Sequence, residues 1–181
     1  DSVASRGLGD VYKRQVYELL KKKRGSVVVT VSNTISQGTG RMDIVDLLNN
    51  VGDEQRIRNI VSKLDTSNQT VGQSMYMATK YALARWVRRI SASWAANGVR
   101  VNAVAPGNVR TAMTDSLNDA AKYAVSALPI PVRYGSDALM DPSEIAESMK
   151  FLLSDASRGV NGVILFTDGG TDALLNSEKV Y

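Results

Sequence analysis

The feature that most constrains the fold is a continuous run of mainly β-branched residues, Ser26-Val-Val-Val-Thr-Val-Ser32. A run without polar alternation is typical of a parallel strand that is buried on both faces of its sheet. Residues 99–105 and 162–167 are also rich in valine and other apolar residues. Helical patterns fill the intervals between these runs, so we expect an α/β protein with an open parallel sheet.

Local signals mark where several helices begin and end. Gly25 and the pair Asn97-Gly98 each follow an amphipathic stretch, at the position where glycine commonly ends a helix. Asp141 and Pro142 predict the start of another helix, as an N-cap and a first-turn proline. The predicted helices cover residues 16–24, 43–50, 54–64 and 74–96, and a segment that begins at Pro142.

The composition limits the chemistry that the chain can perform. Its 181 residues are 44% hydrophobic and 22% charged, as in a globular chain of about one domain. With 0 Cys and 0 His, the thiolate and imidazole ligands of most metal sites are missing, and we expect no metal. Acid–base chemistry therefore falls to Tyr, Lys, Asp or Glu. The lack of cysteine fits a reducing compartment, and we expect a cytoplasmic location.

Charge and hydropathy argue against two kinds of partner. The net charge is +4, but much of the excess lies in residues 21–24, at a predicted helix end where cations suit the helix dipole. No interleaving of basic and aromatic residues accompanies it, so we expect no nucleic-acid binding. No stretch approaches the ~20 apolar residues of a membrane span, and we expect no membrane partner.

Tyr76 and Lys80 are four residues apart in the longest predicted helix, so they lie on the same face of it. A free phenol titrates near pH ~10, and a neighbouring cation favours the phenolate. A tyrosine activated in this way can exchange a proton with a substrate hydroxyl or carbonyl. The spacing alone is weak evidence, because Tyr17 and Lys21 repeat it on what we interpret as ordinary helix surface.

Two segments depart from the strand–helix pattern. Residues 1–15 lack a convincing period, and the part from Ser5 to Gln15 looks like translated adapter sequence. We therefore expect a non-native leader and an amino-terminally truncated chain. Residues 33–73 form a long insertion with two helical patterns. Connections of that size are usually functional, and we expect this one to form one wall of a pocket.

Four motifs occur along the chain in this order: Ser32 at a strand end, Tyr76-x-x-x-Lys80 on a helix, Asn102-x-x-x-Pro106-Gly107 after a strand, and Asp168-Gly169-Gly170. Together they resemble the carboxyl-terminal two-thirds of a short-chain dehydrogenase/reductase. The resemblance extends over residues 16–181. It implies a Rossmann-like, doubly wound parallel sheet, of which this chain would contain the carboxyl-terminal part only.

The resemblance implies a role for each of these residues. Tyr76 would be the catalytic acid/base, and Lys80 would favour its phenolate and bind the nicotinamide ribose. Ser32 would orient and polarise the substrate oxygen. The cofactor would contact Tyr76, Lys80, Pro106, Gly107, Val109 and Thr111. Thr111 has an alternative interpretation as a helix cap.

The substrate would contact Ser32, Asn33 and Met113, and residues 108–133 would close over it as a lid. The identity of the polarising residue stays open at this point. A shift of one position would place Asn33 there, and Ser36 is another hydroxyl close to the insertion.

The insertion and the ending Asp168-Gly-Gly-Thr-Asp-Ala-Leu174 resemble the branch of bacterial 3α-hydroxysteroid dehydrogenase/carbonyl reductase and coniferyl-alcohol dehydrogenase. This branch implies hydride transfer between NAD or NADP, with NAD favoured, and a secondary alcohol or carbonyl compound that is hydroxysteroid-like or aromatic. It also implies a homodimer or homotetramer. The glycine-rich pyrophosphate loop would lie upstream of Val16, so we expect the truncated chain to be inactive. The alternative is a catalytically silent scaffold or regulatory protein.

Overall fold

The structure, a computed structural model, describes residues 8–38, 41–50, 54–65, 68–119, 122–123, 128–133 and 139–179. The strands are β1 (Ser26–Thr30), β2 (Arg100–Pro106) and β3 (Ile164–Thr167). The helices are α1 (Leu8–Lys23), α2 (Met42–Asn50), α3 (Glu54–Val61), α4 (Gln69–Ala95), α5 (Ala112–Asp115), α6 (Pro142–Leu153) and α7 (Thr171–Asn176). Short 3₁₀ helices follow β1 at Asn33–Ser36 and α6 at Asp155–Ser157.

The three strands form one parallel sheet in the order β1-β2-β3. Val27 lies opposite Val101 in the first pair, and Val104 lies opposite Leu165 in the second. The central strand β2 is shielded from solvent over most of its length, as the apolar run predicts. The predicted α/β class with a parallel sheet is therefore confirmed.

Alternate residues of β2 pack against helices on opposite faces of the sheet. Val101 belongs to an apolar cluster that includes Val87 of α4. Val104 belongs to a second cluster that includes Ile145 and Leu152 of α6. Each cluster removes apolar surface from water, and this burial stabilises the fold by about 25 cal/mol for every Å² of apolar surface. The sheet is thus covered on both sides, which is the doubly wound arrangement.

Two asparagines, the buried Asn102 and the exposed Asn161, connect β2 to its neighbours. The Asn102 amide nitrogen donates to the Val160 carbonyl at 3.0 Å, and its amide oxygen accepts from the Val163 backbone nitrogen at 3.1 Å. The Asn161 amide oxygen accepts from the Val101 nitrogen at 2.9 Å, and its amide nitrogen donates to the Ser91 carbonyl at 3.0 Å. These bonds hold residues 160–163, which lead into β3, against both β2 and α4.

The predicted start of α6 is confirmed. Asp141 is its N-cap, Pro142 lies in the first turn, and Glu144 completes a capping box. The Asp141 carboxylate accepts hydrogen bonds from the Ser143 hydroxyl at 2.6 Å and from the Ser143 nitrogen at 2.9 Å. These bonds lower the pKa of Asp141 below its ordinary value, and the bond from the Ser143 hydroxyl has the largest effect.

Two helices begin earlier than the sequence pattern predicts. Helix α1 extends from Leu8, so part of the stretch assigned to a leader is helical, while residues 1–7 lie outside the described ranges. Helix α4 begins at Gln69 because the Asn68 side chain accepts a hydrogen bond from the Thr70 nitrogen. The interpretation of Tyr17 as helix surface is wrong, since its ring packs on Trp94 at a centroid distance of 4.5 Å.

Within the described ranges, none of the helices combines the length and the apolar character that crossing a membrane requires.

We expect Asn102→Ala to lower the free energy of unfolding by about 1–3 kcal/mol, because the Val163 nitrogen loses its acceptor and the Val160 carbonyl loses one donor while that from Arg100 remains. Urea denaturation measures this change. The control is Asn59→Ala on the exposed face of α3, which should change the free energy by less than about 0.5 kcal/mol. Equal effects of the two variants would contradict the proposed contribution of Asn102.

We expect Asp141→Asn to lower the melting temperature at pH 7, because the variant loses the charge that the Ser143 bonds stabilise. A carboxyl group with a lowered pKa in the folded state contributes stability above its unfolded pKa, and that contribution is lost as the pH falls through the folded value. The difference in melting temperature between the two proteins should therefore shrink as the pH falls below 3.8, the ordinary pKa of an aspartate. Melting curves from pH 2 to 7 test this, and a difference that is independent of pH would contradict it.

Candidate active site

The carboxyl ends of the three strands lie at one edge of the sheet, because the strands are parallel. Pro106, the last residue of β2, is paired with Thr167, the last residue of β3. Ser32 follows β1 by two residues, and Gly107 follows β2 directly. Ligands of doubly wound sheets bind at this edge.

Tyr76 and Lys80 lie on α4, next to the end of β1. The Lys80 Nζ atom is 5.6 Å from the centre of the Tyr76 ring. The same ammonium donates a hydrogen bond to the Thr30 carbonyl oxygen at 3.4 Å, and this bond connects α4 to the last residue of β1. Tyr76 is 41% exposed. The pair therefore combines a cation close to a phenol with access for a ligand.

Ser32 lies where β1 passes into the 3₁₀ helix Asn33–Ser36. It is buried, and its hydroxyl oxygen accepts a hydrogen bond from the Thr34 backbone nitrogen at 3.3 Å. A serine hydroxyl that accepts this bond keeps its proton for donation to a second group. Helix α4 packs against the same 3₁₀ helix, so Ser32 and the Tyr76–Lys80 pair lie on adjacent elements.

Asn33 and Asp168 connect the two outer strands of the sheet. The Asn33 amide nitrogen donates to Asp168 Oδ2 at 3.3 Å, and both residues are buried. Gly107, at the end of the central strand, lies against Asp168. A Cβ atom on Gly107 would be 2.8 Å from the Asp168 Cβ atom and 2.9 Å from its Cα atom. The three strand ends therefore meet around one carboxylate.

The expected cofactor contacts Pro106, Gly107, Val109 and Thr111 lie in one turn that hydrogen bonds hold in place. The Gly107 nitrogen donates to the Thr167 carbonyl at 3.2 Å. Val109 forms a parallel bridge with Met140, which precedes the N-cap of α6. Thr111 is the N-cap of α5 and forms a capping box with Thr114, so the interpretation of Thr111 as a helix cap is confirmed.

The expected lid is described at residues 108–119, 122–123 and 128–133, and the side chain of Met113 lies outside the described part. At its far end, the Val132 nitrogen donates to the Gly169 carbonyl at 3.1 Å. Arg133 forms an ion pair with Glu144 of α6. The far end of this segment is therefore held against the turn that follows β3.

The helices of the insertion support α4. Ile44 and Val45 of α2 form an apolar cluster with Ala78 and Ala82 of α4. Asp46 of α2 and Arg85 of α4 form a salt bridge at 2.7 Å. The insertion thus packs along the half of α4 that carries Tyr76 and Lys80, while its role as a pocket wall stays a prediction.

Sequence reasoning missed the role of Asp168. It used the Asp-Gly-Gly motif for the family resemblance, whereas the structure shows a carboxylate that is 3% exposed and hydrogen-bonded to a residue far along the chain. An aspartate directly after an apolar strand and before two glycines was the available signal. It does not reveal which distant donor faces the carboxylate.

The parallel sheet with helices on both faces defines a Rossmann-like α/β protein. A sequence profile described as enoyl-(acyl carrier protein) reductase matches residues 48–172. Curated relatives include several named dehydrogenases and reductases. The chain belongs to the short-chain dehydrogenase/reductase family, as its motifs indicate.

Three relatives illustrate the similarity. Galactitol 2-dehydrogenase (L-tagatose-forming) of Cereibacter sphaeroides is 43% identical over 99 residues, which cover 54% of this chain and 37% of that protein. The 3-alpha-hydroxysteroid dehydrogenase/carbonyl reductase of Comamonas testosteroni is 33% identical over 124 residues, 68% of this chain and 46% of that protein. The chain thus spans less than half the length of these two curated relatives.

The third relative is a solved structure, the 3-alpha-hydroxysteroid dehydrogenase from Pseudomonas sp. B-0831 complexed with NADH. It matches this chain with a TM-score of 0.73 and 30% sequence identity, over 87% of this chain and 59% of that one.

We expect Gly107→Ala to destabilise the protein by about 1–3 kcal/mol, because the added methyl group would overlap the backbone and Cβ of Asp168. Chemical denaturation measures the loss. Gly159→Ala is the matched control, since a Cβ atom there meets nothing within 4 Å. A loss at position 159 as large as that at position 107 would refute the packing argument.

Proposed function

We propose that this protein is an NAD(P)-dependent dehydrogenase/reductase that interconverts a secondary alcohol and a carbonyl compound, with Tyr76 as the acid/base. The observation that carries the proposal is the Lys80 ammonium, 5.6 Å from the centre of the Tyr76 ring at the carboxyl edge of the sheet. Family membership supports the same reaction class.

Tyr76 and Lys80 act together in this proposal. The Thr30 carbonyl holds the ammonium beside the ring, so Lys80 stays next to the phenol that exchanges the proton. In alcohol oxidation the phenolate oxygen accepts the hydroxyl proton, and in carbonyl reduction the phenol returns it. Ser32 donates its hydroxyl proton to the same substrate oxygen and stabilises the negative charge that develops there.

The residues at this edge fit a nicotinamide cofactor. An ammonium has three N–H donors, and the Thr30 carbonyl accepts one of those of Lys80, which leaves donors for ribose hydroxyls. The turn from Pro106 through Gly107 and Val109 to Thr111 offers backbone groups for the carboxamide. A bound nicotinamide supplies the hydride acceptor or donor, while the protein supplies position and electrostatics.

The substrate class follows from the relatives. A galactitol 2-dehydrogenase, a cis-4-hydroxycyclohexanecarboxylate dehydrogenase and a 3-alpha-hydroxysteroid dehydrogenase are named for alcohols whose hydroxyl group is on a secondary carbon. We propose a cyclic, hydroxysteroid-like or aromatic substrate, contacted by Ser32 and Met113, while the expected contact from Asn33 is replaced by its bond to Asp168. NAD is favoured over NADP, since the solved relative was crystallised with NADH.

The proposal extends to the protein as a whole. The relatives are longer than this chain, so residues 1–181 alone are expected to be inactive. We also propose a cytoplasmic homodimer or homotetramer, which size-exclusion chromatography with light scattering would test.

We expect Tyr76→Phe, in the protein as its gene encodes it, to lower kcat by about 10²–10⁴-fold, because the variant cannot transfer a proton. The assay follows reduced nicotinamide at 340 nm with cyclic secondary alcohols and NAD or NADP. Fluorescence titration with NADH should show a dissociation constant within about threefold of that of the unchanged protein. Turnover that survives the substitution would refute the acid/base role.

The matched control is Tyr17→Phe. Tyr17 has a lysine four residues later, at Lys21, but its ring packs on Trp94 at 4.5 Å. This substitution should leave kcat unchanged. If the unchanged protein binds NADH and turns over none of the alcohols or ketones, the catalytically silent alternative is supported.

A further inference from the structure

We infer that Asp168 is a positioning residue for the reaction, which acts on Ser32 through the side chain of Asn33. The inference rests on the proposed function, because that function makes Ser32 the donor to the substrate oxygen. It assigns Asn33 a different role from the substrate contact expected from the sequence, since the Asn33 amide nitrogen faces the carboxylate at 3.3 Å.

Among the described residues, three hydrogen-bond donors surround the carboxylate of Asp168. Its Oδ1 atom accepts from the Gly170 nitrogen at 3.0 Å. Its Oδ2 atom accepts from the Asp172 nitrogen at 2.7 Å and from the Asn33 amide nitrogen at 3.3 Å. A carboxylate that is 3% exposed needs such partners, because its burial without them is costly. The donors therefore determine its orientation.

Two of these donors are local and one is distant. The Gly170 and Asp172 nitrogens lie within four residues of Asp168, and they fix the carboxylate relative to the end of β3. Asn33 lies 135 residues away, directly after Ser32. A carboxylate oriented by its own turn thus sets the position of the Asn33 side chain, and with it the backbone that carries Ser32.

The Asn33 end of this bond is rigid as well. Asn33 is 5% exposed, and its carbonyl oxygen accepts a hydrogen bond from the Ser36 hydroxyl at 2.9 Å. The Ser32 hydroxyl oxygen is occupied by the Thr34 nitrogen. A shift of Asn33 would therefore displace the whole 3₁₀ helix, including the hydroxyl proposed to meet the substrate.

The same turn holds the far end of the expected lid. The Thr171 hydroxyl oxygen lies 2.7 Å from the Pro129 carbonyl oxygen and 2.9 Å from the Asp168 carbonyl oxygen, and its one proton is shared between them. The Gly169 carbonyl accepts from the Val132 nitrogen at 3.1 Å. One turn after β3 thus places both the polarising serine and the base of the segment that covers the substrate.

The test is Asp168→Asn, with Asp172→Asn as the matched control. The control makes the same chemical change four residues later, at a side chain that accepts from Asn176 and not from Asn33. We expect Asp168→Asn to lower kcat by about 10- to 100-fold, because small displacements of positioned groups have effects of that size. The dissociation constant for NADH should stay within about twofold, and the control should leave kcat unchanged.

A second measurement separates positioning from general destabilisation. Hydrogen exchange followed by mass spectrometry should become faster for peptides that contain residues 32–36 in Asp168→Asn, and stay unchanged for peptides from α4. If Asp168→Asn does not fold, Asn33→Leu takes its place, because it removes the long-range donor and leaves both local bonds of Asp168 intact. It should show the same loss of kcat.

An exchange of the two side chains provides a rescue test. Asn33→Asp alone places two carboxylates face to face and should lower kcat. Adding Asp168→Asn to it restores a donor and an acceptor across the pair. The amide nitrogen then replaces Oδ2, so the bond from the Asp172 nitrogen is lost and the rescue is partial. We expect the double variant to regain at least about tenfold in kcat over the Asn33→Asp variant, and a double variant that loses further activity would contradict the inference.

The outcomes distinguish this inference from the proposed function. If Asp168→Asn keeps the kcat and exchange rates of the unchanged protein while Tyr76→Phe abolishes turnover, the inference is overturned and the function stands. If the unchanged protein has no turnover, the proposed function fails. The exchange rate of residues 32–36 then shows only whether Asp168 fixes that segment, and the assignment to a reaction falls with the function.

Discussion

Parallel pairing of β1, β2 and β3 is the constraint on which the rest of the structure depends. Parallel strands cannot be joined by tight turns, so each connection must cross the sheet and usually contains a helix. The two connections here include α4 and α6, and they pack on opposite faces of the sheet. The shared direction of the strands also brings their carboxyl ends to one edge, where a ligand can contact all three.

Both ends of the sheet are stabilised by contacts between residues that are far apart in sequence. Lys80 bonds the Thr30 carbonyl and so relates α4 to the end of β1. Asn102 and Asn161 hold the approach to β3 against the central strand. Asp168 connects the end of β3 to the segment after β1. Polar side chains therefore perform, at the ends of the sheet, the alignment that apolar packing performs in its middle.

Much of the fold could be predicted, because strands and caps have local causes. The β-branched run predicts the strand β1, and Asp141 followed by Pro142 predicts the start of α6. The expected burial of β1 on both faces is wrong, because β1 lies at the edge of the described sheet and its residues are only partly shielded. The first turn of α4 was missed because Gly72 weakens the helical pattern there and the Asn68 cap precedes it in a polar stretch.

The site was predictable in part for the same reason. The four-residue period of a helix is enough to place Tyr76 and Lys80 on one face. By contrast, no period or spacing relates Asn33 to Asp168, because their bond exists only once the outer strands are assembled on the central one. Tyr17 and Lys21 have the same spacing, and we predicted that Tyr17 lies on the helix surface. Its ring instead packs on Trp94 of another helix, which the spacing does not reveal.

The packing of Tyr17 has a further consequence for the optical properties of the molecule. The chain has two tryptophans, and the Trp94 ring lies 4.5 Å from Tyr17 and 6.2 Å from Trp86. Along the axis of α4, Trp86 and Trp94 lie roughly 15 and 27 Å from Tyr76. Their fluorescence therefore reports whether α1 is docked on the far half of α4. A change in emission on heating would mark the separation of these two helices.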